Sequence, residues 1–504
     1  MAAVAVRLSK SRLNAFRQCA RRLWLEVHRP ELVVISADTQ RVFDVGHQVG
    51  AIARASYPDG ILIGADDYQA LDLDRALLDT QDALRLRRPL FEATFRHEDV
   101  LIRADLLLPE GDGWHMAEVK STAGAKENQT TDVATQAWVA RGCGVAICRA
   151  TVRHINRQFT LQTPGDYNGL LIDADVTEAV DELLPQLPMT VSDARATVEG
   201  SEPDMRTGKH CTTPYDCPFQ DHCAAGEPPR PLYPLTLLPK KLAATLHADG
   251  YEDLRQVPED RLTDPWHLRM HRGIVTGTPY LDSAGAAQEI DAWAWPRYFL
   301  DFETMAPAVP IWVGGRPYTD TPFQFSCHRV QQDDGCTHSM FLDLSGTDPA
   351  RACAEALLNH IGPIGAIVTY NAGFERGCIE RLATSFPDLA PYLRQLAARI
   401  VDLLPVVRRH YYHRDLLRSF SLKIVLPALV PGLDHARLDE VKDGRMAQTA
   451  YLEAVSPDCS EARREKLRRE LDEYCTLDTW AMVQMVRALL RLPLTTPKRR
   501  AGDS

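Results

Sequence analysis

The strongest constraint in this sequence is a pair of strand-length apolar runs that carry carboxylates inside them. One is LIRADLLLP, with Asp105, followed after a Gly-Asp-Gly turn by WHMAEVKS, with Glu118 and Lys120. The other is RYFLDFET, with Asp301 and Glu303. A strand turns successive side chains to opposite faces, so Glu118 and Lys120 share one face, as do Asp301 and Glu303. Carboxylates gathered on one face can hold a divalent cation through their oxygens. The two blocks lie in different halves of the chain. At 504 residues it exceeds what one hydrophobic core supports, so two or three domains are expected.

No apolar run reaches the roughly 18 residues of a membrane span. The N-terminal MAAVAVRLSKSR is too short for a signal-peptide core, so a cytoplasmic chain without a membrane partner is expected. The net charge of −11 excludes a uniformly basic nucleic-acid coat. It does not exclude nucleic acid, because metal-binding carboxylates count as negative until the metal arrives, and residues 7–29 form a local basic run. In the cytoplasm the 12 cysteines are not read as disulfides. Cys143, Cys148, Cys353 and Cys378 sit among apolar residues and are read as small core residues. The chain has no Walker A pattern and hence no evident motor of its own.

Apolar periodicity predicts one amphipathic helix over 9–27, a helix over 42–55 and a strand meander over 90–121. A helix over 131–142, a strand over 144–155 and a helical stretch over 177–198 follow. Glu227 to Pro234 reads as a boundary. Residues 229–295 read as a helical connector, in which LPKKLAATLHADGYEDLRQV resembles a helix-hairpin-helix unit. The second half reads strand-strand-strand-helix-strand-helix, then a long helical region over 390–412 and a last helix holding Tyr474 and Asp478. The expected domains are 1–228, the connector 229–295, 296–494 and a disordered tail 495–504. The fold class is α/β with a mixed sheet.

Glu-x-Lys alone is a common surface pair. Here an upstream aspartate and a meander precede it and a helix follows. Over about residues 8–225 this resembles the RecB-like branch of the PD-(D/E)xK nucleases, with a restriction-endonuclease-type core. The resemblance implies Asp105 and Glu118 as ligands of Mg²⁺ or Mn²⁺, His47 of GHQVG as a further ligand, and Lys120 and Gln136 as catalytic residues. Four-thiolate sets bind iron–sulfur centres or zinc. KHCTTPYDCPFQDHC spaces Cys211, Cys217 and Cys223 as C-x5-C-x5-C, unlike the C-x2-C pairs of zinc ribbons. With Cys19 on the first helix, this resembles the iron–sulfur staple of AddB-type helicase-nucleases and related CRISPR-associated exonucleases. A [4Fe–4S] cluster is the implied cofactor and zinc the alternative.

The strand pair Asp301 and Glu303, Glu375 of YNAGFE and Asp478 of EYCTLD bring four acids from different elements, which suits two-metal chemistry. Tyr474 and Asp478 are four apart and share a helix face. Over about residues 296–492 this resembles the DnaQ-like 3′→5′ exonucleases of the RNase H fold, in their DEDDy subgroup. Glu473 occupies the position of the other subgroup's histidine, and Glu375 replaces the usual aspartate. Asp402 in VDLLPVV is read as structural. SFSLKIVLPAL, with Ser421 and Lys423, fits a resemblance of the whole chain to an uncharacterised bacterial family that fuses the two modules. The implied activity is metal-dependent degradation of DNA, at single strands or ends, in repair, recombination or defence. An RNA-processing nuclease remains open. So does a nucleic-acid-binding subunit of a helicase complex with one or both sites silent.

Overall fold

A computed structural model of the chain describes residues 8–34, 37–64, 72–227 and 231–495. The chain divides into two compact units. One is Met1–Pro228 together with Pro307–Tyr318, and the other is Pro229–Ala306 together with Thr319–Ser504. Both are α/β with mixed sheets. Among the described residues, no helix is long and apolar enough to cross a membrane.

The first unit is built on a seven-stranded sheet. Its order is Ile61–Leu62, Leu90–His97, Val100–Glu110, Gly113–Lys120, Ile147–Ile155 and Leu171–Asp175, with Leu8–Ser9 pairing beside Val100–Glu110. The expected meander is its antiparallel centre. Gly111, at φ +53°, opens the two-residue turn between Glu110 and Gly113, a left-handed position that glycine takes without strain. Ile147–Ile155 then returns parallel to Gly113–Lys120. The crossover between them is the helix Glu127–Gly142. Its Val133, Ala134, Ala137 and Ala140 are wholly buried against the sheet, and the small residues let helix and sheet approach closely.

The helix expected over 9–27 is broken. Lys10–Gln18 and Ala20–His28 are separate helices, and Cys19 between them is extended at φ −165° and ψ 120°. The expected stretch over 177–198 is likewise interrupted at Leu184–Gln186, where Pro185 and Pro188 remove backbone donors. The segment Pro307–Tyr318, read as part of the second half, belongs to this first unit. Val309 joins Val49, Ile155 and Leu170 in a small apolar cluster, and the Tyr318 hydroxyl donates to the Ser121 carbonyl.

The second unit has a five-stranded sheet in the order Cys336–Leu342, Thr321–Val330, Arg297–Met305, Ile367–Thr369, Ile400–Asp402. The first three are antiparallel and the last two run parallel to Arg297–Met305 and to each other. Tyr298, Leu300 and Phe302 pack on the helices Ala350–His360, Gly373–Ser385 and Ala390–Ala398. Phe299 faces the opposite core, which includes residues of the last helix, Glu461–Leu489. By alternation, Asp301 and Glu303 point to that helix as well.

Three expectations differ here. The helix over 390–412 is interrupted by the strand Ile400–Asp402, after which Asp402 caps Leu403–His410 by accepting the Leu404 N–H at 3.0 Å. Pro405 suits a first turn but not the interior of a long helix. The helix-hairpin-helix resemblance gives one helix, Lys240–Ala248, and then only the 3-10 turn Leu254–Gln256. The residues read as a connector share a core with the second unit, in which Leu246, Leu254, Met270 and Ile290 meet Phe299 and Val407. Except for Thr495, the expected disordered tail lies outside the described residues.

Candidate active sites

In the first unit the ladder between Val100–Glu110 and Gly113–Lys120 runs only as far as Leu106 and Ala117. Beyond it a side chain takes over, and Asp105 Oδ2 accepts the Val119 N–H at 2.8 Å. Glu118, 1% exposed, receives Lys10 Nζ at 2.7 Å and Lys120 Nζ at 2.8 Å, both on Oε1, while the Gln136 amide donates to Oε2. Lys120 also meets Asp132 Oδ2 at 3.1 Å. Burial alone would favour the protonated acid, but Lys10 and Lys120 hold the Glu118 carboxylate well below its ordinary range. Burial and then the Glu118 charge push Asp105 up to about 7. Against the effect of burial, Glu118, Asp132 and Asp105 raise Lys120.

Thus Asp105, Glu118, Lys120 and Gln136 converge as expected. For His47 no such link to Asp105 or Glu118 is described; it is exposed on Ala37–Ala55, whose Val49 and Ala53 take the inward face. Three members escaped the sequence reading. Lys10 was visible only as part of the basic run. Asp132, one turn before Gln136 on the same helix face, carried a helical-spacing signal that was not used. Glu92, out of the pairing register at φ +56°, adds its charge to Asp105.

The first helix also meets the segment that holds Cys211, Cys217 and Cys223. Gln18 Nε2 donates to the carbonyls of His210 and Tyr215 at 2.6 Å each, tying the first helix to the cysteine loop. The break at Cys19 turns its thiol to Met205, with Sγ and Sδ 3.8 Å apart. Burial raises the Cys217 and Cys223 thiols; Cys211 and Cys19 add to the first, and Cys217, Cys19 and Cys211 to the second. No three of these four sulfurs lie within 4.8 Å of one another. Of the cysteines read as core residues, Cys353 and Cys378 are buried. Cys143 and Cys148 are exposed, the first because it caps the C-terminus of Glu127–Gly142.

In the second unit Asp301, Glu303 and Asp478 bring one oxygen each within 4.8 Å of the others, and among the described residues no other group of acids, histidines or cysteines does so. Asp301 and Glu303 come from the central strand and Asp478 from the last helix. Burial, then the Asp478 charge, raises both Asp301 and Glu303 well above the usual carboxylate range, and Lys423 partly offsets this. Tyr474, 4% exposed, is held protonated by burial and by the charges of Asp478, Glu303 and Asp301. Lys423 Nζ lies 5.0 Å above the Tyr474 ring and donates to the Lys442 carbonyl at 2.6 Å.

Glu375 stands outside this trio. It is 2% exposed, its Oε2 has no hydrogen-bond partner among the described residues, and burial pushes it up to about 8. Its charge still acts on Asp301. Asn371, at φ +75°, and Ala372 donate their N–H groups to Asp402 at 3.0 and 3.1 Å, so Asp402 clamps the turn that carries Glu375. Asparagine tolerates this left-handed backbone better than most residues. The sequence reading also missed His435, whose Nε2 lies 2.7 Å from Asp478 Oδ1.

Part of this unit has a counterpart among known families. The profile of a domain of unknown function, DUF2779, matches residues 298–421, a stretch that includes Asp301, Glu303, Glu375 and Asp402 and stops before Lys423, His435, Tyr474 and Asp478. Among curated proteins, none matches the chain.

Proposed function

We propose that the chain is a metal-dependent nuclease with two unlike active sites, acting on DNA at single strands or ends. The observation that carries this reading is the close-set trio of a half-buried Asp301 with buried Glu303 and Asp478, whose mutual repulsion calls for a cation. A RecB-like core for the first unit and an RNase H-like core for the second are part of the proposal. The first is supported by the meander, its crossover helix and the Asp105, Glu118, Lys120 and Gln136 convergence. The second is supported by three antiparallel strands followed by two parallel ones, with the acids on the central strand.

Divalent ions, Mg²⁺ or Mn²⁺, would activate water and stabilise the leaving oxygen when bound. In the second site Asp301, Glu303 and Asp478 would hold them, and the protonated Tyr474 hydroxyl donates a hydrogen bond that orients the attacking water. In the first, Asp105 and Glu118 would be the ligands, while Lys120 offsets charge building on the phosphate and Gln136 fixes Glu118. The second site would trim 3′→5′; the first would cut 5′→3′ or internally. Cys19, Cys211, Cys217 and Cys223 would hold an iron–sulfur cluster that staples the ends of the first unit. Anaerobically purified protein should be brown, and Cys217→Ser should bleach it; colourless protein with stoichiometric zinc would sink the cluster.

A second reading has one specific support. Lys10 and Lys120 already neutralise Glu118, which fits a first unit that binds nucleic acid without cutting it, as in a helicase-associated subunit. Strands of DNA and of RNA labelled at either end, incubated with Mn²⁺ and the Asp105→Ala or Asp301→Ala protein, separate the readings. Two active sites predict that each change removes a different activity. A silent first unit predicts that Asp105→Ala alters nothing.

A further inference from the structure

The acids of the second site come from motifs, but the group that touches Asp478 does not. His435 opens the 3-10 turn His435–Arg437, and Asp434 fixes that turn by accepting the Ala436 N–H at 2.9 Å. The imidazole is 3% exposed, with Nε2 at 2.7 Å from Asp478 Oδ1. Its Nδ1 is buried without a partner among the described residues. The ring meets Tyr474 edge-on, centroids 5.9 Å apart. The proton between histidine and aspartate belongs on Nε2, since on Nδ1 it would be a buried donor with no acceptor.

We propose that His435 is a positioning residue of the second site: its Nε2–H holds one oxygen of Asp478, so that the carboxylate offers the other in a fixed direction to a divalent cation shared with Asp301 and Glu303. The inference rests on reading that trio as a metal centre. An imidazole suits the task better than a lysine or arginine would. It supplies a directed hydrogen bond without a permanent positive charge that would compete with the ion for Asp478. Tyr474, packed against the same ring, is held in place by the same residue. Glu473, which precedes Tyr474 on the helix, is exposed and does neither. The orienting group thus arrives from 43 residues away in sequence rather than from the helix that carries Asp478.

The test is Mn²⁺ titration of the full-length protein as wild type, Asp301→Asn, His435→Phe and His435→Gln. Phenylalanine keeps the ring volume without a donor, and the glutamine amide places a donor near the position of Nε2. Asp301→Asn should remove the tightest Mn²⁺ site. His435→Phe should weaken it by about 10- to 100-fold, with His435→Gln within roughly threefold of wild type. Turnover of a 3′-labelled single strand by His435→Phe should fall at low Mn²⁺ and recover as Mn²⁺ is raised. A thermal melt accompanies each variant. If His435→Phe does not fold, His435→Asn, too short to reach Asp478, replaces it with the same expectation. Wild-type Mn²⁺ affinity in His435→Phe, with Asp301→Asn weakened, overturns the role of His435 alone. Equal losses in the Phe and Gln variants overturn it too, since that pattern reports packing. If Asp301→Asn binds like wild type, the metal-centre reading fails and this inference fails with it.

Discussion

Glu118 and Asp478 are both buried acids drawn from motifs, and the protein surrounds them in opposite ways. Glu118 is met by two ammonium groups within 2.8 Å and by an amide. Asp478 is met by one imidazole and by two further acids. A buried charge left without compensation costs several kcal/mol, so each site must find cations somewhere. The first finds them in its own chain, at Lys10 and Lys120. At the second, Lys423 offsets the effect of burial and of neighbouring charge only in part, and Asp301 and Glu303 hold their protons well above the usual carboxylate range. Sites with similar motif chemistry therefore differ in how strongly they call for an external ion.

That contrast breaks most visibly at Asp301. Replacing it with alanine should abolish Mn²⁺ binding at the second site and lower 3′ trimming by more than the ~100-fold that an outer-shell change costs. Retained trimming would remove the contrast. Lys10→Met sharpens it from the other side. The variant should lose stability, toward the low end of about 3–5 kcal/mol because Lys120 remains, as read from urea denaturation. It should also gain Mn²⁺ affinity at the first site, because one of the chain's own cations is gone.

A pH series probes the same difference. In the folded protein Asp301, Glu303 and Glu375 keep their protons to higher pH than in the unfolded chain, Glu375 up to about 8. The native state then binds more protons than the unfolded one, so stability is full below the ordinary carboxylate range and falls as pH rises toward 8. Without metal the melting temperature should drop between pH 5 and pH 8, by an amount on the order of a few kcal/mol in stability. Mn²⁺ should restore it at pH 8 and do little at pH 5. Asp105 of the first site, pushed up to about 7, should share in this fall, whereas Glu118, held low by its lysines, should add none. The smallest effect is expected at Glu375. As it stands outside the trio, Glu375→Gln should change Mn²⁺ affinity by less than about tenfold in a calorimetric titration.

Alternation on single strands made Glu118 with Lys120, and Asp301 with Glu303, legible in the sequence. The i, i+4 spacing did the same for Tyr474 with Asp478. What the sequence hid are partners set by tertiary distance. Lys10 meets Glu118 across 108 residues, and no local pattern marks it beyond a basic run. His435 sits in a short turn with no motif of its own. Backbone breaks were hidden too, although with readable hints. The strand Ile400–Asp402 lies inside a helical pattern that Pro405 already disfavours, and the extended Cys19 interrupts an otherwise continuous amphipathic repeat. Exposure misled the reading at Cys143 and Cys148, because apolar neighbours say nothing about which face of an element looks outward.

The most direct measurement of the central claim is cleavage of single-stranded DNA labelled at the 5′ or the 3′ end, with Mn²⁺, by the wild-type, Asp105→Ala and Asp301→Ala proteins. Two unlike metal-dependent sites predict that Asp301→Ala removes shortening from the 3′ end and leaves the other activity, and that Asp105→Ala does the reverse. Unchanged cleavage in both variants, or none in the wild type with Mg²⁺ or Mn²⁺, would contradict it.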